Sequence, residues 1–503
     1  MSATESRDAA HHGREAHRQL WRDIIKYFPS VIIPRLTGII TVPIVTRLFP
    51  PAVFGNYALV MANVTILNSA ILTGIGSCLL RFLPERTSDP RREGELLSTI
   101  FTLAIALSVI VSAVGLIGLH LLGPRIGMDS GNLMAVGFVL FATNGIFALV
   151  SLVLRSAGKA GLYSTIQLVS GYGGLAFGLL LVLVFHFGIR GLLIGNVLAG
   201  LLGISLAWPV AMRGKRVRPW ALSKPVLREI LGFAFFVSMG NAAYWLLSSS
   251  DRWLLRIFRG ANDVGLYSAS YDITGKTTQM GIIAFGLALQ PLSISTWEGR
   301  GREATEHLLT DSTRTYVVVM LPAAIGLSLL ARPLISLIAT ASYVGGARII
   351  PFVALSMFLF GLLDIAGRGL TLSKRPDIEA RNLLLAGVTN VSLNLLLIPR
   401  FGIMAAALSA LCGYVVLLAL HVASVRRYVT WRFPWASFAR VSLACGVMAL
   451  VVFALGWVLA PMRNLPRLLL LSAAGALTYA LAIVGLREVS LSGVRELFSR
   501  PAR

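Results

Sequence analysis

Long apolar segments separated by short connections make up almost the whole chain. A helix rises 1.5 Å per residue, so about 20 apolar residues cross the roughly 30 Å hydrocarbon core of a bilayer. The segments of that kind lie near residues 24–48, 57–83, 97–121, 133–154, 161–186, 190–211, 230–257, 264–290, 315–331, 349–372, 381–398, 402–424, 437–460 and 468–486. They predict an all-α polytopic membrane protein of about 14 transmembrane helices, because a helix satisfies its own backbone hydrogen bonds in lipid.

The composition excludes a soluble globule and a nucleic-acid-binding protein. Hydrophobic residues make up 56% of the chain and the mean hydropathy is +0.77, which leaves too little polar surface for a soluble domain. Lys and Arg outnumber Asp and Glu by 45 to 22, but the longest stretch without an apolar span is the arm at residues 1–23. We therefore expect no nucleic-acid partner, and no Cys or His spacing predicts a metal site or other cofactor.

The distribution of basic residues predicts the orientation in the membrane. With the N-terminus in the cytoplasm, the inner connections are much richer in Lys and Arg than the outer ones, as the positive-inside rule requires. The richest inner connection follows the sixth span and holds Arg213, Lys215, Arg216, Arg218, Lys224 and Arg228. We expect a multi-pass protein of a cytoplasmic membrane with both termini inside.

Three pairs of segments indicate an internal repeat. TRLFPPAVFGNYA from Thr46 matches LRIFRGANDVGLYSA from Leu255, so that Gly55 and Tyr57 correspond to Gly265 and Tyr267. The other pairs are LRSAGKAGLYS with LTLSKRPDIEA, after spans four and ten, and FGIRG with FGIMA, from Phe187 and Phe401. All three pairs keep their direction relative to the membrane, so the repeat is parallel. It predicts two six-helix lobes around a central cavity, followed by two further helices.

The repeat and the charge pattern together predict a domain organisation. The predicted parts are a cytoplasmic amphipathic arm (1–23), an N-lobe (24–212), a basic cytoplasmic linker (213–229), a C-lobe (230–425), two C-terminal spans (437–486) and a cytoplasmic tail (487–503). Two facing lobes suit alternating access better than a static scaffold.

Ionisable residues inside a membrane are costly unless they are paired or hydrated, so each is a candidate functional residue. The cationic candidates for substrate binding are Arg35, Arg252, Lys276 and Arg368. Arg35 and Lys276 lie 14 and 13 residues from the outer turns at Phe49 and Asp263, a depth of roughly 20 Å in each half. Two cations at one depth can bind a phosphate or a diphosphate in a water-filled cavity.

Ion pairing is the alternative role for most of these cations. Asp272 with Lys276, and Asp364 with Arg368, are spaced i,i+4 and can neutralise each other, whereas Arg35 has no acid in its own span. The acids Asp251, Asp272 and Asp364 either couple transport to a proton or sodium ion or neutralise neighbouring cations, and the sequence leaves both roles open.

The segments TRLFPPAVFGNYA and SDRWLLRIFRGANDVGLYSASY, the Gly158-Lys159 turn and the number of spans point to one family. In these features, nearly the whole chain resembles the polysaccharide flippases, the O-antigen and exopolysaccharide (Wzx-type) translocases of the multidrug/oligosaccharidyl-lipid/polysaccharide exporter superfamily. The resemblance implies an undecaprenyl-diphosphate-linked oligosaccharide, moved from the cytoplasmic to the periplasmic leaflet of a bacterial inner membrane. It further implies membrane lipids and polysaccharide polymerase or ligase machinery as partners, and diphosphate contacts at Arg35, Lys276 and Arg252.

Three rival functions fit part of this pattern. A cation-coupled multidrug antiporter and a lipid-linked peptidoglycan precursor flippase share the expected architecture. A multispan glycosyltransferase or polymerase would need paired acids in its outer loops, where the only acids are Asp129 and Asp263. There is also no phosphate-binding glycine-rich loop, so we expect a transporter that is not an enzyme. Its energy would come from an ion gradient, from substrate flow or from consumption of the product outside.

Overall fold

The structure, a computed structural model, describes residues 38, 40–86, 89–122, 131–215, 217, 218 and 220–488. Within these ranges the regular secondary structure is helical throughout, with no β-strand, which confirms the all-α class. The arm at 1–23, the beginning of span one with Arg35, and the tail beyond residue 488 lie outside the described residues.

The described helices follow one another with short connections. After a helical segment at 40–48 they are α1 (Pro51–Leu67), α2 (Thr73–Arg86), α3 (Pro90–Leu122), α4 (Gly131–Ser156), α5 (Ala160–Leu183), α6 (Arg190–Ala211), α7 (Lys224–Ser248), α8 (Ser250–Arg259), α9 (Ala261–Leu329), α10 (Ala331–Ile338), α11 (Ile350–Leu372), α12 (Pro376–Phe401), α13 (Ile403–Val425), α14 (Trp435–Val458) and α15 (Asn464–Gly485). A π-helical turn (Asn68–Leu72) joins α1 to α2, and a 3₁₀ helix (Ala341–Ile349) precedes α11.

Twelve helices in the described ranges are long and apolar enough to cross a membrane. One of them, α9, has 69 residues and contains the predicted span 264–290 and most of the predicted span 315–331. It changes direction at Gly301, where φ is 78° and ψ is −165°. The connection predicted between those spans therefore consists of two helical stretches that meet at the kink at Gly301, and Arg302 and Glu306 form an i,i+4 ion pair just after it. The total of fourteen spans stays a prediction, because span one lies mostly outside the described residues.

The predicted span 230–257 is broken in the structure. Ser249 leaves the helical conformation, with φ −148° and ψ −5°, and separates α7 from α8. Serine hydroxyls at this point compete for backbone groups: the Ser250 hydroxyl donates to the Leu246 carbonyl at 2.6 Å. Gly260, with φ 88°, separates α8 from α9. Interrupted helices in transporters expose backbone groups beside polar side chains at membrane depth.

Contacts divide the described residues into two compact units, one within 38–41 and 60–242 and the other within 42–59 and 243–488. In the first unit, α4 packs on α2, α3 and α6, and α5 packs on α6. The basic connection after α6 docks on the first turns of α3. Lys215 forms an ion pair with Glu93, and the Arg218 amide donates to the Ser98 hydroxyl at 2.8 Å. The predicted lobe boundaries at 212 and 230 stay a prediction.

The second unit brings the two copies of the repeated motif into contact. A Cβ atom on Gly55 would lie 2.0 Å from the Ala261 carbonyl oxygen, and one on Gly265 would lie 1.9 Å from the Pro51 carbonyl oxygen. Pro51 and Ala261 are separated by the same 210 residues as the two glycines. The contact is therefore reciprocal, as for equivalent residues that face each other across a two-fold axis. Only glycine permits the backbones of α1 and α9 to approach so closely.

The other two repeat pairs share their backbone conformation. Gly158 and Lys374, at the ends of α4 and α11, have φ values of 70° and 55°. Gly188 and Gly402, which precede α6 and α13, both have φ 57°. These left-handed residues form corresponding turns in the two halves, in agreement with the parallel repeat predicted from the sequence.

The last two helices, α14 and α15, pack on each other and α14 packs on α9. Their cytoplasmic end, in the predicted orientation, is closed by Glu488, whose side chain is completely buried. Its carboxylate accepts hydrogen bonds from Arg314 of α9 at 2.5 Å and from Arg440 of α14 at 2.8 Å.

Candidate functional site

Four charged side chains of the second unit form one cluster at the break between α7 and α8. Asp251 and Arg252 are in the first turn of α8, and Asp272 and Lys276 are one turn apart in α9. Asp272 lies between the two cations: its carboxylate oxygens are 3.3 Å from Arg252 Nη2 and 3.2 Å from Lys276 Nζ. Arg252 Nη1 is also 4.0 Å from Asp251 Oδ1. The four formal charges sum to zero.

Two tyrosines contact the buried residues of this charge cluster. Asp251 is 2% exposed and accepts a hydrogen bond from the Tyr267 hydroxyl. The Arg252 guanidinium lies 5.0 Å from the centre of the Tyr271 ring and 3.5 Å from the Ser248 carbonyl oxygen. Buried charges are tolerated where they are paired and hydrogen-bonded, which these contacts provide.

One side of the charge cluster is open. The side chains of Asp272 and Lys276 are 31% and 32% exposed, whereas that of Arg252 is 10% exposed. An anion that arrives from the open side would therefore meet Lys276 first, and would have to compete with Asp272 for both cations.

A group of uncharged polar side chains lies beside Asp251. The Ser250 hydroxyl is 3.3 Å from Asn390 Oδ1, and Asn394 donates to the same oxygen at 3.0 Å. Asn390 Nδ2 and Asn394 Oδ1 are buried and have no hydrogen-bond partner among the described residues. Sequence reasoning missed these two asparagines, although their i,i+4 spacing within an apolar span is a usable signal.

Asp364 and Arg368 form a second pair, on α11. Arg368 Nη2 is 2.8 Å from Asp364 Oδ2, and the Arg368 side chain is 11% exposed. Arg368 Nε is buried with no partner in the described parts of the chain. Gly286 of α9 faces the pair, since a Cβ there would be 3.5 Å from Asp364 Oδ2.

The structure thus places six of the seven predicted site residues. It joins four of them in the charge cluster and holds the other two on α11, and both i,i+4 pairs anticipated from the spacing are formed. Arg35 lies outside the described residues, so its pairing with Lys276 across the predicted cavity stays a prediction. No group of three or more His, Cys, Asp or Glu suited to a metal ion occurs in the parts of the chain that the structure describes.

A sequence model of the polysaccharide biosynthesis protein family matches residues 44–348. The chain belongs to this family. The match runs from the first repeated motif through the whole charge cluster on α8 and α9, and it confirms the resemblance that the motifs indicated.

Relatives of this family member include archaeal membrane proteins. The chain is 23% identical over 375 residues to a probable low-salt glycan biosynthesis flippase, Agl15, of Haloferax volcanii, covering 73% of this chain and 76% of the relative. It is 21% identical over 404 residues to an uncharacterized membrane protein of Methanocaldococcus jannaschii, covering 75% and 78%.

Solved transporters share its fold. The lipid II flippase MurJ in an inward closed conformation superposes with a TM-score of 0.76 at 14% identity, covering 92% of this chain and 99% of the flippase. An inward-facing multidrug resistance MATE family transporter of the MOP superfamily gives a TM-score of 0.67 at 14% identity, covering 80% and 97%. The chain is therefore a multi-pass membrane protein with the fold of this transporter superfamily.

Proposed function

We propose that this protein translocates a lipid-linked oligosaccharide across a membrane during polysaccharide biosynthesis. The observation that carries the proposal is the family match over residues 44–348, which includes all four residues of the charge cluster. The relative named as a glycan biosynthesis flippase and the fold shared with solved transporters support the same activity. Movement by alternating access of the two predicted lobes fits an internal parallel repeat.

The proposed substrate is an undecaprenyl-diphosphate-linked oligosaccharide, transferred from the cytoplasmic to the periplasmic leaflet of a bacterial inner membrane. In this proposal both termini are cytoplasmic, as the basic connections predict, and the product serves a polysaccharide polymerase or ligase. The diphosphate provides the charge by which the protein would hold the substrate, because guanidinium and ammonium groups donate charge-assisted hydrogen bonds to phosphate oxygens.

In the proposed mechanism the charge cluster exchanges partners. Asp272 occupies both Arg252 and Lys276, so a diphosphate can bind them only if it displaces this carboxylate. Protonation of Asp272, or a cation bound to it, would remove the competing charge and leave the cluster with a net charge of +1. Substrate binding would then be coupled to the binding of a proton or sodium ion. Asp251, which accepts a hydrogen bond from the Tyr267 hydroxyl, would remain the fixed counter-charge to Arg252.

The remaining predicted site residues have separate roles in this proposal. Arg35 would contact the diphosphate from the N-lobe. Arg368 would contact it from α11, where Asp364 plays the part that Asp272 plays in the charge cluster.

Two alternative functions are compatible with the same fold. A cation-coupled multidrug antiporter is favoured by the solved multidrug transporters that share the architecture. A lipid-linked peptidoglycan precursor flippase is favoured by the higher TM-score of the lipid II flippase.

The test is translocation of a fluorescent lipid-diphosphate oligosaccharide by the purified protein in reconstituted vesicles, with and without proton and sodium gradients. We expect wild type to flip it, and Arg252→Gln, Lys276→Met and Arg35→Ala to reduce the rate at least tenfold. Asp272→Asn should keep substrate binding and lose the dependence on the gradient.

Arg259→Gln is the matched control, because Arg259 is in the same helix as Arg252 but is 40% exposed and paired with Asp263. Folding of each variant is checked by gel filtration. Normal flipping by folded Arg252→Gln and Lys276→Met would show that the charge cluster does not bind the substrate. If wild type moves only organic cations, the antiporter replaces the flippase, and if it moves only lipid-linked peptidoglycan precursor, the second alternative does.

A further inference from the structure

A cavity of about 250 Å³ lies between α10 and the pair α14 and α15. Most of its wall is apolar, from residues including Leu329, Pro333, Phe453, Trp457 and Leu471. Its volume is below the range of about 300–1,000 Å³ that is typical of pockets enclosing a whole small molecule. The cavity can therefore hold only part of a larger apolar ligand, such as a section of a lipid acyl chain.

Arg467, in the first turn of α15, is the charged residue of the cavity wall. Its Nη2 donates to the Gly456 carbonyl at 2.8 Å, which fixes the side chain across the connection between α14 and α15. Its Nε is buried and has no hydrogen-bond partner among the residues that the structure describes. A buried guanidinium N–H without an acceptor is costly, so this geometry leaves one donor ready for a ligand oxygen.

The charge around the cavity has one sign. Arg332 precedes Pro333 of the cavity wall, and Arg463 lies one helical turn before Arg467. Neither α10, α14, α15 nor the connection 459–463 contains Asp or Glu. In the predicted orientation these arginines are in outer connections, where the positive-inside rule disfavours basic residues. Their presence there calls for an anionic partner.

The neighbouring surface is that of a helix pair in contact with lipid. Phe453, Trp457 and Leu469 are 64%, 73% and 61% exposed. Tryptophan is typical of the level of the lipid headgroups, so the cavity opens beside the polar boundary of the bilayer.

We propose that this cavity binds an anionic phospholipid, with the phosphate on Arg467 Nε and an acyl chain against the apolar wall. The headgroup also interacts with Arg463 and Arg332. The site is on the C-terminal helix pair, apart from the charge cluster on α8 and α9, and its lipid would be a bound component of the protein and not the transported substrate.

Native mass spectrometry of the detergent-purified full chain tests the proposal, with dioleoylphosphatidylglycerol and dioleoylphosphatidylcholine as probes of identical acyl chains. Wild type should retain phosphatidylglycerol at least fivefold better than phosphatidylcholine. Arg467→Gln should remove that preference. Gly456→Leu should reduce binding of both lipids, because a Cβ at Gly456 meets no atom within 4 Å and a leucine there would extend into the cavity.

Arg400→Gln is the matched control, since Arg400 is an exposed arginine at the end of α12 and does not line the cavity. Its lipid preference should equal that of wild type. Equal binding of the two lipids by wild type, or an unchanged preference in folded Arg467→Gln, overturns the proposal. Displacement of the lipid by millimolar inorganic phosphate would assign the site to a free anion instead.

Discussion

At the scale of single residues, the structure shows how ionisable groups are kept in a largely apolar chain. Each of the six described site residues has an opposite charge within 4.0 Å. Removal of one partner from a buried pair usually costs about 3–5 kcal/mol, because the other charge is left without compensation. Pairing therefore stabilises these charges in the folded protein.

Glu488 gives a prediction of pH dependence outside the membrane-spanning helices. Burial alone would raise its pKa, but hydrogen bonds from Ser437, Arg440 and Arg314 outweigh burial and hold the pKa below the ordinary glutamate value. A carboxyl group with a lowered pKa stabilises the folded state above its unfolded pKa of about 4.3, and this contribution is lost as the pH falls through the lower folded-state pKa.

We expect Glu488→Gln to lower the free energy of unfolding by about 1–2 kcal/mol at pH 7, a modest value because both arginines are about half-exposed and solvent screens them. Thermal unfolding of both proteins between pH 7 and pH 3 is the measurement. The difference in Tm should shrink below about pH 4.3. The exposed Glu298→Gln serves as the control and should follow wild type throughout. A difference that is constant with pH would contradict the assignment.

At the scale of helices, the arrangement of the second unit depends on a break between two helices and on a close contact between two backbones. The break at Ser249 brings Asp251 and Arg252 to the start of a new helix, and the contact of Gly55 with Ala261 joins the two copies of the repeated motif. Both features depend on short stretches of backbone and not on the hydrophobicity of the spans.

Gly55→Ala and Gly265→Ala should each destabilise the protein by about 1–3 kcal/mol, because the added methyl group would overlap a backbone carbonyl oxygen. Gly232→Ala is the matched control: Gly232 is also inside a helix, but a Cβ there meets no atom within 4 Å. Alanine is a better helix former than glycine, so this control should be neutral or slightly stabilising.

Thermal unfolding in detergent measures the three variants against wild type. Equal Tm values for Gly55→Ala and Gly232→Ala would show that α1 and α9 do not require the close approach. Because the contact is reciprocal, the effects of Gly55→Ala and Gly265→Ala should also be similar in size.

At the scale of the whole molecule, the basic connections predict which ends of the helices face the cytoplasm. In the first unit, one of these connections is held against α3 by Lys215 and Glu93. The 3₁₀ helix at Ala341–Ile349 follows an odd number of predicted spans and should face the opposite side.

Single cysteines introduced into a variant without Cys78, Cys412 and Cys445 test this orientation. In intact cells, a membrane-impermeant maleimide should label Ser342→Cys and leave Lys224→Cys unlabelled, and permeabilisation should expose Lys224→Cys. Both positions are exposed in the structure, so the difference reports the side of the membrane. The opposite labelling pattern would invert the predicted topology and, with it, the proposed direction of transport.

Much of the structure of this protein can be predicted from its sequence, because the interactions that determine it are local or repeated. Apolar segments of about 20 residues indicate membrane helices directly. The pairs Asp272 with Lys276 and Asp364 with Arg368 follow from i,i+4 spacing in a helix, and the repeated Gly-x-Tyr motif points to the family.

Only the tertiary structure decided how these elements meet. Arg252 reaches Asp272 across 20 residues and Ser250 reaches Asn390 across 140, and a hydrophobicity pattern does not encode which side chains of two apolar helices face each other. The break at Ser249 and the kink of α9 at Gly301 depend on the local backbone conformation, which span prediction ignores. The sequence alone determined the membrane class, the repeat and the candidate charges, whereas packing determined which of those charges form one cluster.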